Sequence, residues 1–202
     1  MWKNQTAQRT PRLALVCTAG LVVSVLAGCS GGTTGTPSMP EVPPTPVGSG
    51  APGSAESAGL DSLVAAGELA MKEVPGSTVI TIETEQNGAV WEVQVVTSDG
   101  TENQLDISAD GTEVVSGPRA ESDDAADKAK HQQRVAAAKI DYKKAAELML
   151  DAVPGGSIQE LGLDSDMGKT VWEGDVIDTS QFKHEVQLDA VDGKVLRDDS
   201  SD

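Results

Sequence analysis

The stretch VWEVQVV, residues 90–96, is written a second time as VWEGDVI, residues 171–177. The chain holds only three tryptophans in 202 residues, so two identical Val-Trp-Glu triplets point to an internal repeat. The likeness continues on both sides. Upstream, ELAMKEVPGS (68–77) and ELMLDAVPGGS (147–157) share Glu-Leu, an apolar pair and Val-Pro-Gly at an offset of 79. From the tryptophans onward the offset is 81 and holds without a gap, pairing Leu105 with Val186, Ile107 with Leu188 and Val114 with Val195.

Each unit opens as an amphipathic helix. In the first, Leu60, Leu63, Val64, Gly67, Met71 and Val74 fall on one helical stripe, with Ser57 or Asp61 placed to cap its start. In the second, Asp141 reads as an N-cap, and Tyr142, Ala145, Ala146, Met149, Ala152 and Val153 form the stripe. Val-Pro-Gly stops both helices, because proline cannot continue a helix and pushes the residue before it out of the helical region. Strands with period-two alternation follow: Ile80 and Ile82, then Trp91, Val93 and Val95, then Leu105 and Ile107, then a short Val114-Val115. The second unit repeats them with Ile158, Leu161 and Leu163, then Trp172, Gly174 and Val176, then Val186 and Leu188, then Val195.

The expected fold is therefore α+β, with two tandem modules, each one helix packed on a small antiparallel sheet of three to four strands. They span residues 59–117 and 140–202. At about 60 residues each module is near the lower limit for folding alone, so the two are expected to pack on one another with their tryptophan-bearing sheets side by side. The connector, 118–139, is Ala-rich and charged and reads as helical after Ser122. Trp91 and Trp172 share a face with Val93, Val95 and Val176, which reads as core. The other reading, a pair of exposed aromatic anchors on a partner-binding face, stays open. Glu92 and Glu173 point the other way, together with Gln94 and Asp175. That outer face would suit a basic peptide or protein.

Charge narrows the function. Acidic residues outnumber basic ones 32 to 15, and the first acid is Glu41. Lys3, Arg9 and Arg12 precede every acid, so beyond Cys29 the balance is 12 basic to 32 acidic residues, a net of −20. Such a chain is repelled by phosphate backbones, which excludes nucleic acid as a partner. No Ser-His-Asp order, HExxH, CxxC or phosphate loop occurs. His131 falls in the charged connector and His184 is expected to point outward with Phe182, both solvated. The acid pairs in EGD (173–175), DSD (164–166), Asp123-Asp124 and Asp198-Asp199 suit a solvated face in so acidic a chain. DSDMG (164–168) is a fragment of a calcium loop without the third acid and the distal Glu. No enzyme activity, cofactor or metal site is expected.

The N-terminus reads as an address. A basic start is followed by the uncharged apolar run LALVCTAGLVVSVLAG (13–28), too short to span a bilayer, which takes about 20 residues. Leu26-Ala27-Gly28-Cys29 resembles the lipobox of bacterial lipoproteins. That resemblance implies removal of residues 1–28 by cleavage between Gly28 and Cys29. It also implies acylation of the Cys29 thiol and attachment to the outer side of the cell membrane. Residues 29–58, rich in Gly, Pro, Ser and Thr, then read as a disordered tether.

The two units resemble the PepSY domain, on the helix, the Pro-Gly stop, the Val-Trp-Glu strand and the closing LDAVDGKVL (188–196), with LDISADGTEVV (105–115) a looser version. The resemblance implies an extracytoplasmic module that restrains peptidases or binds other proteins, and it brings no catalytic residues. The expected function is thus a membrane-anchored protein-binding module, a regulator or inhibitor of a secreted or envelope peptidase. The alternative is an acidic spacer or adaptor of the envelope without inhibitory action.

Overall fold

The computed structural model describes residues 53–201; Cys29, the signal and most of the tether lie outside the described residues. The elements are α1 (Gly53–Glu73), β1 (Thr78–Glu85), β2 (Val90–Val96), β3 (Glu102–Ser108), β4 (Val114–Ala120), α2 (Ala125–Ala137), α3 (Tyr142–Ala152), β5 (Ser157–Asp166), β6 (Lys169–Ile177), β7 (Lys183–Asp189) and β8 (Val195–Ser201). Ser57 and Asp61 fall inside α1 rather than at its start. Asp141 caps α3, accepting the Lys144 amide at 2.9 Å, and Asp124 caps the connector helix α2 through the amides of Ala126 and Asp127.

The strands do not form two small sheets. They join into one antiparallel sheet of eight, in the order β4-β3-β2-β1-β5-β6-β7-β8, with three helices. This corrects the expectation of two tandem helix-on-sheet modules. The physical reason lies at the edges. A four-stranded half would leave the β1 or β5 backbone unpaired against the side of a marginal core, and pairing the two edges satisfies both. The seam runs Thr81 opposite Gly162, Ile82 opposite Leu161 and Glu83 opposite Glu160. Ile82 and Leu161 are repeat equivalents at the offset of 79, so an approximate twofold axis passes through this one pair. Both are fully buried. Each seam strand carries one bulge at the equivalent place, at Ile80 between Val79 and Thr81 and at Gln159 between Ile158 and Glu160.

One face of this sheet carries the core. Trp91, Val93, Val95, Leu105 and Ile107 from one half and Leu161, Trp172, Val176, Val186 and Leu188 from the other lie under Leu63, Ala66 and Ala70 of α1 and Ala145, Ala146 and Met149 of α3. The helices also bridge the seam. A Cβ at Gly67 would overlap the Tyr142 ring, so glycine there lets α1 and α3 approach. The Tyr142 hydroxyl donates to the Val64 carbonyl at 3.0 Å. Burial pushes the Tyr142 phenol pKa further above neutrality.

Candidate protein-binding face

The tryptophans are core residues. Trp91 is 7 % and Trp172 1 % exposed, and each indole N–H has a partner at 3.1 Å. The partners differ. Trp91 Nε1 donates to Ala109 O; in the second half, the equivalent carbonyl of Ala190 is taken by the amides of Lys139 and Ile140, and Trp172 donates to Ile140 O instead. The chain leaving α2 thus inserts where the first half bonds to itself. Neither ring is presented to a partner.

Glu92 and Glu173 lie on the sheet face opposite the α1–α3 core, as the alternation of the strands requires. The pairing brings far more than these two together. Asp106, Glu92, Glu83, Glu160, Asp175, Glu185 and Asp199 are direct cross-strand neighbours, one carboxylate on each of seven adjacent strands from β3 to β8. Adjacent strands are about 4.8 Å apart, and like charges opposite one another are destabilising. The fold does not impose this. The row related to it by the approximate twofold reads Arg119, Gln104, Gln94, Thr81, Gly162, Glu173, Gln187 and Arg197, and holds one carboxylate.

Amide donors and two basic side chains steady this face, Arg197 Nε lying 3.4 Å from Asp199. Glu92 accepts from the side-chain amides of Gln104 and, at 3.4 Å, Gln94; Glu173 accepts from Gln187 at 2.6 Å. Lys183 Nζ lies 3.1 Å from Asp175 and 3.2 Å from Glu185. Burial, with the charges of Asp106 and Glu85 adding to it, raises the Glu92 pKa against the opposing hydrogen bonds with Gln94 and Glu83. A carboxyl whose pKa is raised by folding weakens the fold above that pKa and ceases to do so below its unfolded value. Glu92→Gln should therefore stabilise the protein at pH 7 by up to about 1 kcal/mol, the scale of a cross-strand like-charge contact. The gain should fade as pH falls through the carboxylate range, and thermal melts from pH 7 to pH 4 measure it. Equal gain at both ends would show that the charge is not its source.

The remaining sequence candidates are dispersed. Asp124 caps α2, and Asp123 accepts the Glu102 amide at 2.8 Å. Asp164, in the calcium-like fragment, is bound by Arg134 at 2.7 Å. His184 does not point outward. It shares the face of Val186 and Leu188, and its two ring nitrogens meet Asp198 at 3.1 Å and Asp178 at 3.4 Å; the Asp198 hydrogen bond is the main cause of its raised pKa. His131 is not solvated either, being only 9 % exposed. Its burial was discoverable from spacing, since His131, Val135 and Ala138 form a helical stripe across the charged connector. Among the described residues, no helix is long and apolar enough to cross a membrane.

A single antiparallel sheet of eight strands with helices over one face and a like-charged row across the other defines a mostly-sheet module that presents an acidic surface. Residues 139–199, which take in α3 and most of the strands of the second half, match the family described as "Peptidase propeptide and YPEB domain", PepSY. No curated protein matches the chain. Among solved structures the chain is similar to a crystal structure described as a "putative lipoprotein" of Clostridium difficile 630. The identity is 19 % and the TM-score 0.45, over 66 % of this chain and 89 % of that one.

Proposed function

We propose that this protein is a membrane-anchored, extracytoplasmic binding module that engages, and thereby restrains, a secreted or envelope peptidase. Cys29 is its site of acylation and Gly28–Cys29 its cleavage point. Stable attachment would follow from two or more acyl chains on that residue. The match of residues 139–199 to a peptidase propeptide family supports the peptidase connection. The observation that carries the binding mode is the row of seven carboxylates. It gathers like charge that its twofold-related row does without, and it is complementary to a basic surface on a partner. Glu92 and Glu173 lie on this face; Trp91 and Trp172 are buried on the other side of the sheet. The module acts by binding alone, with no chemistry of its own.

The test pairs fractionation with capture. The full chain should pellet with membranes and the Cys29→Ala variant should not. The 30–202 fragment should retain a peptidase from envelope extract in stoichiometric amount, with loss of its activity. Glu92→Lys with Glu173→Lys should weaken that retention at least 10-fold, and added salt should do the same to the unmutated fragment, as expected for exposed charges. Retention unaffected by either would remove the acidic face from the reading. Absence of any specific partner would favour the spacer role.

A further inference from the structure

The connector helix carries a cluster that the acidic face does not use. His131 of α2, Glu102 at the start of β3 and Asp123 just before α2 place one ligating atom each within 4.8 Å of one another. We infer that these three side chains form a binding site for a divalent cation of the zinc class, one that ties α2 to the first half of the sheet.

The argument begins with the imidazole. His131 Nδ1 lies 3.2 Å from the Gly100 carbonyl, an acceptor only, so Nδ1 carries the proton. The other nitrogen, Nε2, faces Glu102 Oε2 at 3.6 Å, beyond hydrogen-bond reach. A charge-assisted bond between them would close to about 2.8 Å. A separation of 3.6 Å is instead near the ligand–ligand edge of roughly 3.4 Å expected for tetrahedral bonds of about 2.1 Å to zinc. A ligating histidine typically gives its second N–H to a carbonyl or carboxylate, as His131 does to Gly100.

The carboxylates are prepared in the same way. One oxygen of Asp123 is held by the Glu102 amide at 2.8 Å, which fixes the direction of the other. Glu102 is largely buried beside Asp123, and burial followed by the Asp123 charge opposes its ionisation while His131 favours it. Two carboxylates in a part-buried space against one imidazole leave negative charge for a cation to neutralise. One nitrogen and two oxygens suit a borderline ion such as zinc, with water as the remaining ligand, better than Ca²⁺ or Mg²⁺, which take oxygen alone. His184 is the contrast. Carboxylates face both of its ring nitrogens, an arrangement that holds an imidazolium and leaves no lone pair for a metal.

The test uses the full chain, free of tag histidines, with zinc alone as titrant in calorimetry and cobalt as a spectroscopic probe. One zinc per chain is expected, with visible cobalt absorption of a low-coordinate site. Glu102→Gln and Asp123→Asn preserve shape, and the latter keeps an acceptor for the Glu102 amide. Each should weaken zinc at least 10-fold and abolish the cobalt spectrum while the circular dichroism stays unchanged. His184→Gln should bind zinc as the unmutated chain does. Failure of the unmutated chain to take up zinc at micromolar concentration overturns the site, as does equal binding by both carboxamide variants.

Discussion

Met149→Ala should cost about 2–5 kcal/mol and Gly174→Val about 1–3 kcal/mol, yet the double variant should lose at least about 1 kcal/mol less than their sum. The reason is a swap of volume between the two halves. Met149 of α3 sits directly over Gly174 of β6; a Cβ at that glycine would overlap Met149 Sδ and come within 2.9 Å of the Glu160 carbonyl. At the equivalent places, offsets of 79 and 81, the first half has Ala70 on α1 and Val93 on β2; Ala70, Val93 and Met149 are fully buried in the core and Gly174 is buried beside them. Small over large in one half is large over small in the other. Methionine truncated alone leaves a cavity, and valine introduced alone meets both the sulfur and the carbonyl. Together they install the pair the first half already uses, leaving only the strain against the Glu160 carbonyl. Denaturant unfolding of the four proteins measures the coupling, and losses that simply add would show that the two halves do not pack interchangeably.

The same comparison shows what the sequence could disclose. Helical stripes, Pro-Gly stops and strand alternation are local, and they mark most of the buried core, Leu63, Ile82, Trp91, Val93, Trp172 and Leu188 among it, although Val114, Val115 and Val195 on the outermost strands are exposed. The merging of the sheets is not local. Alternation assigns Ile82 and Leu161 to the core face, but nothing in it states that they are each other's neighbours across a seam. The acidic row was invisible for the same reason. Glu83, Glu92 and Asp106 look like ordinary polar positions of three strands until the register places them side by side. His131 failed for another cause: overall charge in α2 masked a short apolar stripe, and the environment that buries it comes from the β2–β3 turn, about 30 residues away in sequence.

Separating the halves should have the largest effect on folding. A fragment of residues 140–202 keeps α3 and β5–β8 but loses the Ile82–Leu161 contact and the hydroxyl anchor of Tyr142 on Val64. At about 60 residues it retains a core too small to offset ordering entropy with an open edge beside it. Its β5 edge nonetheless has a ready partner in a second copy. The native seam is already close to a twofold centred on Leu161 and its equivalent, so two fragments can meet with Leu161 opposite Leu161. That register sets Glu160 opposite Gly162 and so avoids the Glu83–Glu160 like-charge pair of the intact chain. The fragment should therefore be unfolded at high dilution and fold as a dimer at higher concentration, with a melting temperature that rises with concentration. Leu161→Asp should leave it unfolded throughout, since a buried charge without a partner at the seam would remove the dimer. Sedimentation and circular dichroism over a concentration series give the answer. A monomeric fragment that melts cooperatively and independently of concentration, near the temperature of the full chain, would mean that each half folds on its own and that the seam joins two finished domains.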